Sequence, residues 1–204
     1  MSEFSLLDWI LTIAALFVSW QIHTAVLHQA SGAATAQPQA EPGSREPPPP
    51  AAPAGSLEER LERIRRAGGY PDLPTFLKGA GLAYEQVIAA FAAGELQPVR
   101  ELLGPAVREG LSTAIAERHA RGETHAVMLI GADPMATDAG LDAGTAWIEV
   151  CFHTEMVATT TDEAGRVLTG DPRRIVEGSE TWTFARDVHS PDPNWLLVAT
   201  DGEA

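Results

Sequence analysis

Hydrophobic and polar positions divide the chain into regions that follow different patterns. Residues 6–27 are mostly apolar, and as a helix rising 1.5 Å per residue they would span roughly 33 Å, about the thickness of the hydrocarbon layer of a bilayer. We therefore predict a transmembrane anchor over residues 1–28. From Ser56 onward apolar residues recur at helical spacing, and after Gly122 they alternate with polar ones. Alternation with a period of two is typical of strands.

Between the apolar segment and the first periodic helix lies a stretch dominated by Pro, Ala, Gly, Ser and Gln. It covers residues 29–55 and includes four consecutive prolines, Pro47 to Pro50. Such a composition cannot bury enough apolar surface to offset the entropy of ordering its backbone. We predict a disordered linker; a Pro-rich ligand for an SH3-type partner is the alternative interpretation.

A short amphipathic helix is predicted over residues 56–69. Ser56 and Glu59 have the spacing of a capping box, and Gly68 is placed to end the helix. Leu57, Leu61 and Ile64 share its apolar face, and four basic residues flank that face. We expect these basic residues either to contact an anionic membrane surface or to belong to a helix that packs onto the following domain. They are Arg60, Arg63, Arg65 and Arg66.

The region 70–204 reads as one α+β domain. Helical periodicity predicts a helix from Pro74 to Gly94, a second helix over Leu96–Leu103 and a third over 105–121. In the third helix Leu111, Ile115 and His119 fall along one stripe. Helices therefore fill the first half of the domain.

Strands are predicted to fill the second half. Over residues 146–158 Ile148, Val150, Phe152 and Met156 alternate with polar positions, as in a long half-buried strand. A turn is expected at residues 162–165, followed by strands over 174–188 and 194–200 that are separated by a loop containing Pro191 and Pro193. Helices followed by hairpin-connected strands predict that the helices pack on one face of a curved antiparallel sheet.

Charge and cysteine content narrow the possible functions. The 204 residues carry a formal net charge of −14, and the sequence pI is about 4.7. The field of such a chain repels phosphate backbones, so we exclude sequence-independent nucleic-acid binding. The single cysteine, Cys151, cannot form an internal disulfide, and the sequence has no CxxC or HxxxH spacing for zinc.

A search for catalytic groups returns only weak candidates. Glu149, Cys151, His153 and Glu155 lie on the polar face of the predicted long strand, where a Cys/His pair two residues apart would come close. Because the opposite face carries the aliphatic residues, we expect this set to face solvent or a partner. We predict no catalytic residues, no metal site, no cofactor and no enzymatic activity.

The orientation and fate of the anchor leave alternatives open. Ala34, Thr35 and Ala36 have the small-x-small form of a signal-peptidase site, and cleavage there would release the domain into the periplasm. Against this, the segment before the apolar run carries Glu3 and Asp8 and no basic residue. We predict a single-pass membrane protein with its C-terminal domain on the cytoplasmic side.

Several motifs resemble one known family over residues 72–201. One domain of that family has opening helices that are similar to Phe76-Leu77-Lys78-Gly79-Ala80. Its strand-loop-strand end is similar to Gly170-Asp171-Pro172 and to the stretches 182–187 and 190–200. That domain is the C-terminal domain of the forty-four-kilodalton subunit of the mitochondrial inner-membrane import translocase, together with its bacterial TimA-type relatives. The resemblance implies a cone-shaped α+β roll of the nuclear-transport-factor-two type.

The resemblance also implies a role without catalysis, in which the chain docks at the bacterial inner membrane and recruits a chaperone or protein client. A small-molecule or acyl-chain binder, or an isomerase-type enzyme that uses the cavity of the roll, is the alternative hypothesis. We expect the partner-binding or pocket residues among ten positions. They are Phe76, Tyr84, Ile88, Phe91, Trp182, Phe184, Arg186, Asp187, Asn194 and Trp195.

Overall fold

The computed structural model describes residues 55–68 and 72–202. In this part of the chain helices come first and a curved antiparallel sheet follows, as the periodicity predicts. The predicted anchor and the predicted linker up to residue 54 lie outside the described residues. Within the described ranges, no helix combines the length and the apolarity needed to cross a bilayer.

The helices begin and end at the residues that local signals favour. The Ser56 hydroxyl accepts a hydrogen bond from the Glu59 amide (3.2 Å) and the Glu59 carboxylate accepts one from the Ser56 amide (3.0 Å), which completes the predicted capping box. Gly94 ends the longest helix with a φ of 76°, a conformation that glycine adopts without a Cβ clash. The helices are α1 Leu57–Arg66, α2 Leu73–Ala93, the 3₁₀ helix η1 Gln97–Leu102 and α3 Pro105–Ala120.

Two helical details differ from the sequence prediction. The predicted helix over Leu96–Leu103 is the six-residue 3₁₀ helix η1, which has a proline in its first turn and no side-chain cap; so short a segment favours the tighter turn. In the last turn of α3 Arg118 is buried, whereas His119, which shares the predicted stripe with Leu111 and Ile115, is exposed. Arg118 Nη2 donates to the carbonyls of Phe91 (2.9 Å) and Ala92 (3.3 Å), so it holds the end of α2.

The sheet has five antiparallel strands in the order β1-β2-β4-β5, and β3 pairs with the end of β2. The predicted strand over 146–158 is the centre of β2, whose residues Ile148, Val150, Phe152 and Met156 are buried as predicted. The four-residue β3 was not predicted. The strands are β1 Thr124–Asp142, β2 Thr145–Thr161, β3 Val167–Gly170, β4 Val176–Asp187 and β5 Leu196–Gly202.

The core lies between the inner face of the sheet and α2. The Tyr84 ring stacks on Phe152 at a centroid distance of 4.5 Å and contacts Trp182 at 4.6 Å. Ile88 and Phe91 continue the buried face of α2. This aromatic packing fills the centre of the domain, so any open site has to lie toward an end of the sheet.

Helix α1 packs onto β1. Of the two alternatives expected from the sequence, a membrane-surface helix and a helix packed on the domain, the structure has the second. Leu61 and Ile64 are buried in the common core. Arg60 forms an ion pair with Asp138 of β1, and its side chain is only 11% exposed. The helix is therefore fixed to the sheet by both apolar and charged contacts.

Candidate functional site

A cavity of about 610 Å³ opens between α2 and the loop that joins β4 to β5. It lies at the end of the sheet where β4 ends and β5 begins. Its volume falls in the range of sites that enclose small ligands or a partner's side chains. The described lining residues are Gly68, Thr75, Phe76, Gly79, Ala80, Ala83, Leu102, Phe184, Arg186, Pro193, Asn194 and Trp195.

Three aromatic residues form one wall of the cavity. Phe76 meets Trp195 at a centroid distance of 5.0 Å and Phe184 at 6.0 Å, both edge to face. Such pairs favour one geometry over others. Phe76 and Phe184 are buried, whereas Trp195 is half-exposed, so Trp195 presents the aromatic surface that an occupant would meet.

Small side chains on α2 line the cavity beside Phe76. Gly79, Ala80 and Ala83 lie at helical spacing on the face that lines the cavity. A Cβ added at Gly79 would meet no atom within 4 Å. The room in the cavity therefore depends on residue size along α2, and a larger side chain at position 79 would fill it without a clash at the backbone.

Arg186 closes the rim by holding two segments together. Its Nη1 donates to the carbonyl of Gly68 (3.0 Å), its Nε to that of Asp192 (3.1 Å) and its Nη2 to that of Ser190 (3.4 Å). The Asn194 amide in turn donates to the Asp192 carboxylate at 2.9 Å. These contacts fix the loop containing Pro191 and Pro193 against the end of α1.

A second polar group, Glu180, lies in the aromatic core and outside the cavity. Its carboxyl oxygens accept hydrogen bonds from Tyr84 Oη (3.3 Å) and Trp182 Nε1 (3.2 Å). Burial raises the pKa of Glu180, although both hydrogen bonds act in the opposite direction. Burial and the nearby Glu180 also raise the pKa of Tyr84. The hydrogen bond between Tyr84 and Glu180 lies within the packed aromatic core, so it helps to order that core.

The structure separates the ten sequence-predicted positions into three groups. Phe76, Phe184, Arg186, Asn194 and Trp195 line the cavity together. Another four are core residues: Tyr84, Ile88, Phe91 and Trp182. Asp187 accepts a hydrogen bond from the His189 amide (2.8 Å) at the foot of the loop.

Sequence reasoning missed the small residues of α2 and the buried Glu180. The signal for Glu180 was its strand parity, because it shares the inward face with Trp182 and Phe184. The signal for the cavity wall was the recurrence of Gly and Ala at positions 79, 80 and 83 on one face of a long helix. Neither signal predicts a cavity unless the position of the β4–β5 loop, which faces α2, is also known.

The polar face of β2 carries Glu149, Cys151, His153 and Glu155, the weak catalytic candidates of the sequence. Cys151 Sγ lies 3.2 Å from Ser179 Oγ, which lies 3.4 Å from His153 Nδ1. Burial, and then the charges of Asp138 and Asp201, raise the pKa of Glu149. None of these residues lines the 610 Å³ cavity. Within the described ranges, no three His, Cys, Asp or Glu residues are grouped so as to hold a metal.

The basic residues of α1 are not equivalent in the structure. Arg60 is turned toward Asp138, whereas Arg63, Arg65 and Arg66 are exposed. Arg65 and Arg66 contact the Glu62 carboxylate at 2.6 and 2.9 Å. The hydrogen bond from Arg65 is the main reason that the pKa of Glu62 falls to about 2.

Comparison with known proteins then assigns the domain. The family model described as the Tim44-like domain matches residues 57–202, which include α1, the cavity and the whole sheet. The chain belongs to the Tim44-like family. Tim44-like domains are linked to membrane-associated adaptors of protein import. The match begins at Leu57, so the helix that we predicted as a separate segment lies within the region that the family model covers.

Comparisons with curated proteins and with solved structures give less information about this chain than the family match. No curated protein matches the sequence significantly. The crystal structure of the intermembrane space region of the chloroplast protein ARC6 is similar to this Tim44-like chain, with 16% sequence identity and a TM-score of 0.38. The alignment covers 74% of this chain and 99% of that one.

Proposed function

We propose that this Tim44-like protein is a non-enzymatic adaptor at the bacterial inner membrane, which holds a protein partner, a chaperone or a membrane-protein client, in the cavity between α2 and the β4–β5 loop. The observation that carries the proposal is the chemistry of the cavity lining. Its described residues are aromatic, small or aliphatic, with Thr75, Arg186 and Asn194 as the polar members. The described lining residues offer apolar contact and hydrogen-bond donors, and they include no carboxylate, imidazole or thiol.

The proposed attachment to the membrane rests on residues 1–28, which supply an apolar segment of spanning length, and on residues 29–54, which supply a Pro-rich tether. As a flexible coil that tether would reach roughly 30 Å. The domain could therefore meet partners over a short range from the surface while remaining attached. In this arrangement we place the domain on the cytoplasmic side.

Cross-linking at matched positions tests the partner. A photoreactive benzoylphenylalanine replaces Ala83, which lines the cavity, or Leu82, which is half-exposed and does not. In intact cells we expect protein adducts in the membrane fraction from position 83 and few from position 82. Protein adducts of equal yield from both positions would overturn the assignment of the cavity.

A substitution that fills the cavity gives a second test of the same proposal. Gly79→Leu places a side chain in the opening, and Lys78→Leu adds the same apolar bulk at an exposed neighbour outside the lining. Only Gly79→Leu should abolish the adduct from position 83. It should do so without loss of stability, because leaving glycine in a helix interior gains up to about 1 kcal/mol.

A ligand-binding role is the second candidate, because the volume of about 610 Å³ also suits a small molecule or an acyl chain. The same experiment separates the two candidates. A covalent mass increase well below that of a protein, again lost in Gly79→Leu, would favour the ligand. The isomerase variant of this hypothesis gains no support, because the buried Glu180 and Tyr84 do not line the cavity.

A further inference from the structure

The junction between β3 and β4 forms a projecting loop at the end of the sheet opposite the cavity. Gly170 pairs with Thr159, and Val176 pairs with Met156. Five residues, 171–175, therefore stand opposite only two residues of β2. Without this loop, β3 would continue directly into β4 along the same edge of β2.

Local contacts hold this loop in one conformation. Gly170 has a φ of 84°, and a Cβ there would lie 2.1 Å from the carbonyl oxygen of Ala158. The Asp171 carboxylate accepts from the Arg173 amide (2.9 Å), and its carbonyl accepts from the Arg174 amide (3.1 Å). Such turn contacts order a backbone before it meets a partner. The loop is built to present its side chains outward.

An apolar row crosses the outer face of the sheet at this level. Met128 of β1 pairs with Val157 of β2. Ile175 directly precedes Val176, which pairs with Met156, the sequence neighbour of Val157. Met128 is 61% exposed and Ile175 is 55% exposed. We call these three residues the apolar row.

Charges of opposite sign flank the apolar row. Arg173 and Arg174 precede Ile175 on one side, and Glu177 follows it on the other, directly opposite Glu155 of β2. All four side chains are exposed. Within the described ranges neither Arg174 nor the two glutamates take part in an ion pair, and Arg173 has only a 3.7 Å contact with Asp171.

The paired glutamates Glu155 and Glu177 place two like charges directly opposite each other on this face. Like charges directly opposite each other on neighbouring strands destabilise a sheet. Arginines are scarce here, since residues 67–204 hold nine Lys or Arg against 21 Asp or Glu. Two of those nine, Arg173 and Arg174, lie across the apolar row from the glutamates.

We propose that this face binds a second copy of the same chain about a two-fold axis that runs along the apolar row. Rotation about that axis places each row residue against its own symmetry mate. It also exchanges the two flanks, so that the arginines of one copy meet the glutamates of the other. A surface that is complementary to itself in this way is what an isologous dimer requires.

The cavity lies at the far end of the sheet from this face, so the proposal is independent of the proposed function. Two copies with net negative charge repel each other at long range, but salt at about 0.15 M screens charges beyond roughly 8 Å. Contacts within the interface then decide association.

Cross-linking across the axis tests the geometry. In full-length protein in detergent, Cys151→Ser removes the only native thiol, and Val157→Cys or Leu82→Cys then supplies one. Position 157 should form the intermolecular disulfide at least about tenfold faster than position 82, which is half-exposed on α2. Equal rates would overturn the proposal.

Charge reversal tests the partner. Arg174→Glu and Glu177→Arg, each on the Val157→Cys, Cys151→Ser background, should separately slow the homodimer disulfide by about tenfold or more, because each creates like-charge contacts on both sides of the row. Mixing the two differently tagged variants should restore the wild-type rate, as a heterodimer. Recovery by mixing cannot come from misfolding of either variant.

Two outcomes reject the second copy as occupant. One is that the mixture stays as slow as either variant alone. The other is that vesicles of anionic lipid bind the protein, lose it with Arg174→Glu and keep it with Glu177→Arg, since a lipid surface needs only the arginines.

Discussion

At the scale of single residues, Glu180 shows how burial sets the behaviour of an acid. It is 6% exposed behind Tyr84, Phe152 and Trp182. Two neutral donors contact its oxygens, and no guanidinium or ammonium group is hydrogen-bonded to it in the described residues. A buried carboxylate without a cation favours its proton, which is why its pKa is raised.

Replacing Glu180 with Gln should change how stability depends on pH. Because the folded protein holds the Glu180 proton more tightly than the unfolded chain, this residue's contribution is complete below about pH 4.5 and is lost as pH rises through the raised pKa. The free energy of unfolding of Glu180→Gln, relative to wild type, should therefore rise between pH 4 and pH 8. Denaturant unfolding at several pH values measures this.

The exposed Glu85 of α2 offers the matched control. Glu85→Gln makes the same chemical change outside the core and should leave the pH profile close to wild type. A profile for Glu180→Gln that runs parallel to wild type over the whole range would mean that Glu180 ionises in the folded protein as it does in the unfolded chain.

At the scale of elements, α1 joins the domain through one apolar stripe and one ion pair. Its remaining arginines face outward, and two of them pair with Glu62 on the same helix. The Arg60–Asp138 pair also lies beside Glu149, whose pKa is raised partly by Asp138. Asp138 of β1 and its cross-strand partner Glu149 of β2 thus form a small acidic group, and Arg60 pairs with the Asp138 member of it.

Removing that charge should loosen α1 specifically. Arg60→Met keeps much of the apolar stem but leaves Asp138 without its guanidinium. Because Asp138 is 31% exposed, the cost should be about 1–2 kcal/mol, below that of breaking a fully buried pair. Amide hydrogen exchange in α1 should then accelerate by roughly tenfold.

Exchange in α2 should change little in the same sample. Arg66→Met, which alters an exposed i,i+4 pair, should leave the exchange rates of α1 nearly unchanged. If Arg60→Met and Arg66→Met behaved alike, docking would rest on Leu61 and Ile64 without help from the ion pair.

At the scale of the whole molecule, the sequence predicts repeating patterns better than their junctions. The limits of α2 and the inward face of β2 follow from period and caps, because those signals lie within each element. The cavity depends on how the small residues of α2 meet a loop more than 100 residues away in sequence, through an arginine that contacts Gly68, Ser190 and Asp192. No pattern within either segment carries that information. The resemblance in family motifs supplied the loop residues that the periodicity could not.

The extent of the folding unit is the last prediction. The described core draws on α1 as well as the sheet, and the family match covers 57–202, so a fragment of residues 55–204 should unfold in one cooperative transition. Its Tm should lie within about 3 °C of the full chain in the same detergent. A fragment of residues 72–204 exposes the sites of Leu61 and Ile64, each worth about 1.5–3 kcal/mol of burial. That loss should lower Tm by roughly 10 °C. Equal Tm values for the two fragments would place α1 outside the folding unit, and it would then be free to leave the sheet for a membrane surface.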